Sequence, residues 1–106
     1  MNKLIFFDLE TGGLSYWPKD RGDGKTIPMR PVIQVAALAV DATTLEVCDT
    51  FERKIQFDPE DCNASALKVN NYHPDNWRNA VSSTTAVYDF KRFTETHWAT
   101  ETPYKG

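Results

Sequence analysis

The chain has 106 residues, a formal charge of -3 and 41% hydrophobic residues, which is room for one small domain and not for two. Mild acidity argues against a protein that wraps nucleic acid in bulk, though not against an enzyme that grips one strand end. No apolar stretch is long enough for a membrane span, and Asp8 and Glu10 interrupt the first apolar run too soon for a signal peptide. Cys48 and Cys62 match no metal spacing and suit a reducing compartment, the cytoplasm by default.

Residues 3 to 10 are predicted to form the first strand. Leu4 and Phe6 share one face with Asp8 and Glu10, while Ile5, Phe7 and Leu9 share the other. A strand apolar on both faces is usually central in its sheet. The two carboxylates at its end repel unless something neutralises them, and a hard divalent cation such as magnesium or manganese does this well. The plainer reading is a pair of solvent-exposed acids where a strand emerges.

Residues 15 to 31 are predicted to be a loop, with three of the six prolines and two of the five glycines. The segment carries Lys19, Arg21, Lys25 and Arg30 against Asp20 and Asp23. Tyr16 and Trp17 could stack on a base and the basic side chains could meet phosphates. Alternatively the aromatic pair covers the core of a solvated hairpin loop.

The second strand is predicted over about 32–40 and the third over about 45–55. The latter places Val47, Phe51 and Ile55 on one face and Cys48, Thr50, Glu52 and Lys54 on the other, the pattern of an edge strand with one wet face. Strands one to three read as an antiparallel meander. A short helix comes next at about 63–70, capped by Asn63 or Ser65. A second helix is predicted at about 84–98, with Val87, Phe90, Phe93 and Trp98 as its apolar stripe and Ala86 beside it. Asp89 is expected on its wet face, and His97 as a capping or surface residue. Segment 70–77 is rich in turn signals.

Phe7-Asp8-Leu9-Glu10-Thr11-Gly12-Gly13-Leu14 resembles the first motif of the DEDD (DnaQ-like) 3'-5' exonucleases, whose usual form is Asp-x-Glu-Thr-Thr-Gly-Leu. Gly12 stands at the second Thr position. Pro31 to Asp41 is similar to that family's second strand, and Phe51 to Pro59 to its third strand and the turn after it. The resemblance covers nearly the whole chain but only about the first half of a family domain. It implies an α/β fold, a partial ribonuclease H-like domain over residues 1–106 with a three-stranded antiparallel meander followed by helices.

The resemblance also implies metal-dependent hydrolysis at a DNA or RNA 3' end. Asp8 and Glu10 become catalytic metal ligands for Mg2+ or Mn2+, with two ions in a complete site. Thr11 and Gly12 become substrate contacts and Leu14 a wedge at the terminal base; separately, the composition of the loop makes Trp17 and Arg21 candidate substrate contacts. The family's two later carboxylates and its general base have no matching position. Neither Asp89 nor His73 fits their pattern, because His73-Pro74-Asp75 lacks the His-x4-Asp form.

Two-metal chemistry needs both ions held roughly 3.5–4 Å apart, so weak or absent activity is expected of this chain alone. Without the family's fourth strand, the first strand becomes an open edge that another polypeptide segment or a second copy could cover. The alternative is a non-catalytic, truncated relative that binds a partner protein or nucleic acid through loop 15–31. A phosphatase or phosphotransferase fits less well, since those usually need an Asp nucleophile in an Asp-x-Asp or Asp-x-Gly setting.

Overall fold

The computed structural model of the chain describes residues 2–13, 19–20, 26–27 and 30–98. Three long strands, β1 (Lys3–Thr11), β4 (Val32–Asp41) and β5 (Val47–Lys54), make one antiparallel sheet in the order β1-β4-β5. β2 (Lys19–Asp20) and β3 (Thr26–Ile27) form a separate two-residue antiparallel pair. This corrects the expectation of a wholly strand-free segment over 15–31; a single pair of bridges asks for only two extended residues on each side, and Thr26 and Ile27 are β-branched. Two helices follow among the described residues, α1 (Ala64–Val69) and α2 (Ser83–Trp98), with 3-10 turns at Pro59–Asp61 and Pro74–Trp77.

The register sorts the side chains. Ile5 lies opposite Ala39, Phe7 opposite Ala37 and Leu9 opposite Val35, and opposed residues share a face. On β5, Phe51 lies opposite Ala37. This face carries α2: Val35, Ala37, Ala39, Phe51, Ile55, Ala86 and Phe93 form the buried cluster, with Ile5, Val32, Val81 and Phe90 packed against it. The alanines of β4 keep the middle of the sheet low, so α2 approaches closely and the Phe51, Phe90 and Phe93 rings pack at tilted angles around it.

The apolar stripe of α2 differs from the expected one. Ala86, Phe93 and His97 are buried and Phe90 half-buried, whereas Val87 is 68% and Trp98 73% exposed. The spacing 86, 90, 93, 97 follows the helical period more closely than 87, 90, 93, 98, and a histidine takes the last inward position. Asp89 is not on a wet face either. It meets Arg53 Nε at 3.1 Å, on the sheet side of the helix. α1 is capped by Asn63, whose Oδ1 accepts from the Ser65 amide at 2.9 Å. His73 caps the second 3-10 turn, its Nδ1 accepting from the Asp75 amide at 3.2 Å. Behind that turn, Trp77 Nε1 donates to the Ile33 carbonyl at 3.1 Å, and Phe57, Tyr72 and Trp77 form an aromatic group.

β1 is not central among the described strands; it is an edge. Leu4 (43%), Phe6 (54%), Phe7 (61%) and Leu9 (45%) stay exposed as a result. Beside them an apolar groove of about 590 Å³ opens between β1 and α2, lined by Phe7, Leu9, Val35, Ala86, Val87 and Phe90 among others.

Candidate active site

The face of the sheet opposite α2 carries the acidic pair. Asp8 lies opposite Ala36 and Glu10 opposite Gln34, so both carboxylates project away from the helix. Their closeness is visible in their electrostatics. The carboxyl of Glu10 is pushed above its ordinary pKa, first by partial burial and then by the hydrogen bond and negative charge of Asp8. A cation placed beside Glu10 and Asp8 would offset that unfavourable negative charge.

Immediately after Glu10 the register shifts: Glu10 pairs with Gln34 but Thr11 with Val32, leaving Ile33 as the extra residue. Such a bulge turns the strand end and re-aims the residues beyond it. The next turn is held from several sides. Thr11 Oγ1 donates to the Gly13 carbonyl at 2.7 Å, and Asn70 Nδ2 donates to the Thr11 carbonyl at 3.1 Å. The Gly12 amide donates to the Pro31 carbonyl at 2.9 Å, and the Gly12 carbonyl accepts from the Asn63 amide at 2.6 Å. No side chain fits at Gly12, because an added Cβ would overlap the Cys62 sulfur and lie 2.9 Å from its Cβ. At Gly13 an added Cβ would lie 2.9 Å from Cγ of Arg30, whose guanidinium donates to the Asp61 carbonyl at 2.7 Å.

The segment from Asp61 to Asn70 therefore clamps the acidic strand end. Between the two lies a groove of about 510 Å³, lined by Glu10, Thr11, Gly13, Asn63, Ser65 and Val69 among others. Of the site residues expected from the sequence, Asp8, Glu10, Thr11 and Gly12 are brought together here. Gly12 is buried with both backbone groups engaged inside the protein. Leu14, Trp17 and Arg21 lie outside the described residues.

Glu52 shares the open face, opposite Ala36 and so in one row with Asp8. Two strand spacings, roughly 9–10 Å, separate it from Asp8, and it accepts from Gln34 Nε2 at 2.9 Å. Asp89 sits on the α2 side of the sheet and cannot join the pair. Among the described residues, no group of three or more His, Cys, Asp or Glu side chains converges as a metal shell. Asp8 and Glu10 supply hard oxygen donors that fit one side of a magnesium or manganese ion, and the described residues supply no more than that side.

The clamp itself was not readable from spacing. Asn63 is recognisable as a helix cap, but that its own amide meets Gly12, and that Cys62 lies against the same glycine, are contacts between segments some fifty residues apart.

No protein-family model matches the chain, and no curated protein does either. Solved structures do resemble it. The nuclease domain of 3'hExo, a DEDDh family member bound to rAMP, superposes with a TM-score of 0.67 at 13% identity, covering 98% of this chain and 48% of that one. Cell-death related nuclease 4 (CRN-4) gives 0.65 at 16% identity, over 94% and 32%. A full-length 3'-exonuclease gives 0.64 at 12% identity, over 90% and 29%. The chain spans between about a third and a half of the length of these proteins, and over that span its meander and the helices after it have the ribonuclease H-like α/β fold of 3'-exonuclease domains.

Proposed function

We infer that this chain is part of a metal-dependent 3'-5' exonuclease domain acting on DNA or RNA ends. The observation that carries the reading is the pairing of Asp8 and Glu10 at the end of β1, on the face of the sheet opposite α2, in a fold shared with 3'-exonucleases. Asp8 and Glu10 hold one side of a hard divalent cation, magnesium or manganese. Such an ion, when bound, activates water and stabilises the leaving oxygen in phosphodiester hydrolysis.

The chain's own residues position the rest. The Thr11–Gly13 turn, fixed by Asn63, Asn70 and Cys62, walls one side of the groove. The groove beside Glu10 receives the terminal nucleotide; Leu14 as a wedge at the terminal base, and Trp17 and Arg21 as further contacts, are assigned on sequence alone. Because Asp8 and Glu10 are only part of a two-ion ligand set, this chain by itself binds metal weakly and turns over little or no substrate. A further polypeptide segment or a second copy, pairing along β1, brings the remaining ligands. The free thiols Cys48 and Cys62 suit a reducing compartment such as the cytoplasm. No described helix is long and apolar enough to cross a membrane.

Hydrolysis of a 5'-labelled single-stranded oligonucleotide, with magnesium and manganese arms, tests the reading. Slow shortening from the 3' end that needs the metal and vanishes in Asp8→Asn supports it. Turnover retained in Asp8→Asn refutes it. If wild type yields no product yet binds the oligonucleotide, and binding is lost in Trp17→Ala with Arg21→Ala but kept in Asp8→Asn, the chain is a binding module instead.

A further inference from the structure

At the end of β1 far from the acidic pair, three side chains form a strap across the sheet. Lys3 Nζ lies 3.1 Å from His97 Nδ1, and His97 Nε2 lies 2.9 Å from Asp49 Oδ2. Lys3 belongs to β1, His97 to the last turn of α2 and Asp49 to β5, so the strap joins both outer strands over the middle one. His97 is only 8% exposed, and its ring packs on Phe93 at 4.8 Å. Asp49 Oδ1 also accepts from the Thr50 amide at 2.8 Å.

The geometry dictates a protonation state. A lysine ammonium is donor only, so Nδ1 must offer a lone pair; an ionised carboxylate is acceptor only, so Nε2 must carry the hydrogen. All three groups are satisfied together only with a neutral, Nε2-protonated His97. A second ring proton would sit on Nδ1 and face the ammonium, setting donor against donor and charge against charge. The bond to Asp49 would survive, since that carboxyl is held below its ordinary pKa, first by the hydrogen bond from His97 and then by that from the Thr50 amide.

We propose that Lys3, His97 and Asp49 form a pH-sensitive strap, closed while His97 is neutral and releasing the start of β1 from α2 when His97 gains a proton. Among the described residues, the charged groups around it are few. From β1 there is Lys3 and from β5 Asp49. On β4, Asp41 is the cross-strand partner of Lys3, but its Oδ1 is taken by the amides of Thr43 and Thr44 at 2.7 and 2.9 Å. On α2 itself Arg92 and Glu95 are exposed. Release is one-sided: α2 stays on β5 through His97–Asp49 and Arg53–Asp89, while β1 loses its tie at Lys3.

Long-range nitrogen–proton NMR of the two histidine rings in the full chain tests this, with the exposed His73 as internal reference. The expected result is an Nε2–H tautomer for His97 at neutral pH. Lys3→Met, which removes the tie, should leave the ratio of β1 to β5 amide exchange rates flat with pH. In wild type the ratio of β1 to β5 amide exchange rates should rise as His97 protonates, and in His97→Gln that ratio should stay flat with pH. An Nδ1–H tautomer or a charged ring at neutral pH overturns the proposal. So does a ratio that still rises on acidification in Lys3→Met, in a chain whose spectrum shows it folded.

Discussion

Gly12 and Cys62 lie against each other so closely that the glycine has no room for a side chain: a Cβ there would overlap the cysteine sulfur. The contact fastens the turn after the acidic strand to the segment that precedes α1. It also gives a physical reason for glycine at a position where the similar motif carries threonine. The space that side chain would need is filled by the protein's own thiol.

Gly12→Ala should therefore destabilise the chain by about 1–3 kcal/mol, the usual cost of overpacking. Cys62→Ala alone should cost less, and the double variant should recover part of the loss, because the sulfur is the nearest obstacle. Denaturant titration of the two single variants and the double variant reads the coupling directly. Strict additivity would mean that the two residues do not meet.

Asp8→Asn should remove cation binding while making the fold slightly more stable at neutral pH, by less than about 1 kcal/mol. The sign comes from Glu10, whose folded-state pKa is raised. Such a group contributes stability below its unfolded pKa that is lost as pH rises through the folded value. Neutralising Asp8 removes the hydrogen bond and charge that contribute to that shift. The advantage of the variant should accordingly shrink as pH falls below the Glu10 pKa. Thermal unfolding of both proteins across that range is the measurement.

The stripe of α2 predicts an asymmetric pair. Phe93→Ala, at a buried position in the main cluster, should cost about 3–5 kcal/mol. Val87→Ala, at a position 68% exposed, should stay within about 0.5 kcal/mol of wild type. Equal effects would return Val87 to the core.

The outer edge of β1, which pairs with no described strand, should make the protein self-associate as concentration rises, since unpaired strand edges with exposed apolar side chains recruit other strands. Phe7→Lys places a charge beside the edge and in the apolar groove. Light scattering should show association reduced in that variant. No change would mean that association, if seen, runs through another surface.

Much of the fold was legible because strand faces follow a period of two. The sides assigned to Ile5, Phe7 and Leu9 and to Asp8 and Glu10 come from alternation alone, and the pairing of β1 with β4 and β4 with β5 matches the expected meander. The errors fall where tertiary context decides. Trp98 looks apolar, yet the helical period turns it outward and gives the inward position to His97, whose polar ring is acceptable there only because Lys3 and Asp49 meet it. Asp89 reads as a surface acid, and it is Arg53, thirty-six residues away, that draws it to the sheet. β1 reads as central by composition, but no described strand pairs with its outer side. The closeness of Asp8 and Glu10 was legible from two-residue spacing; the clamp of Cys62, Asn63 and Asn70 around the next turn was not.

The most direct test of the acidic pair is a Mn2+ titration of the whole chain, read by electron paramagnetic resonance. Weak binding is the predicted result, weakening further on acidification through the raised Glu10 pKa and disappearing in both Asp8→Asn and Glu10→Gln. Binding of equal strength in wild type and both variants would contradict the assignment, and would move any metal in this protein away from the end of β1.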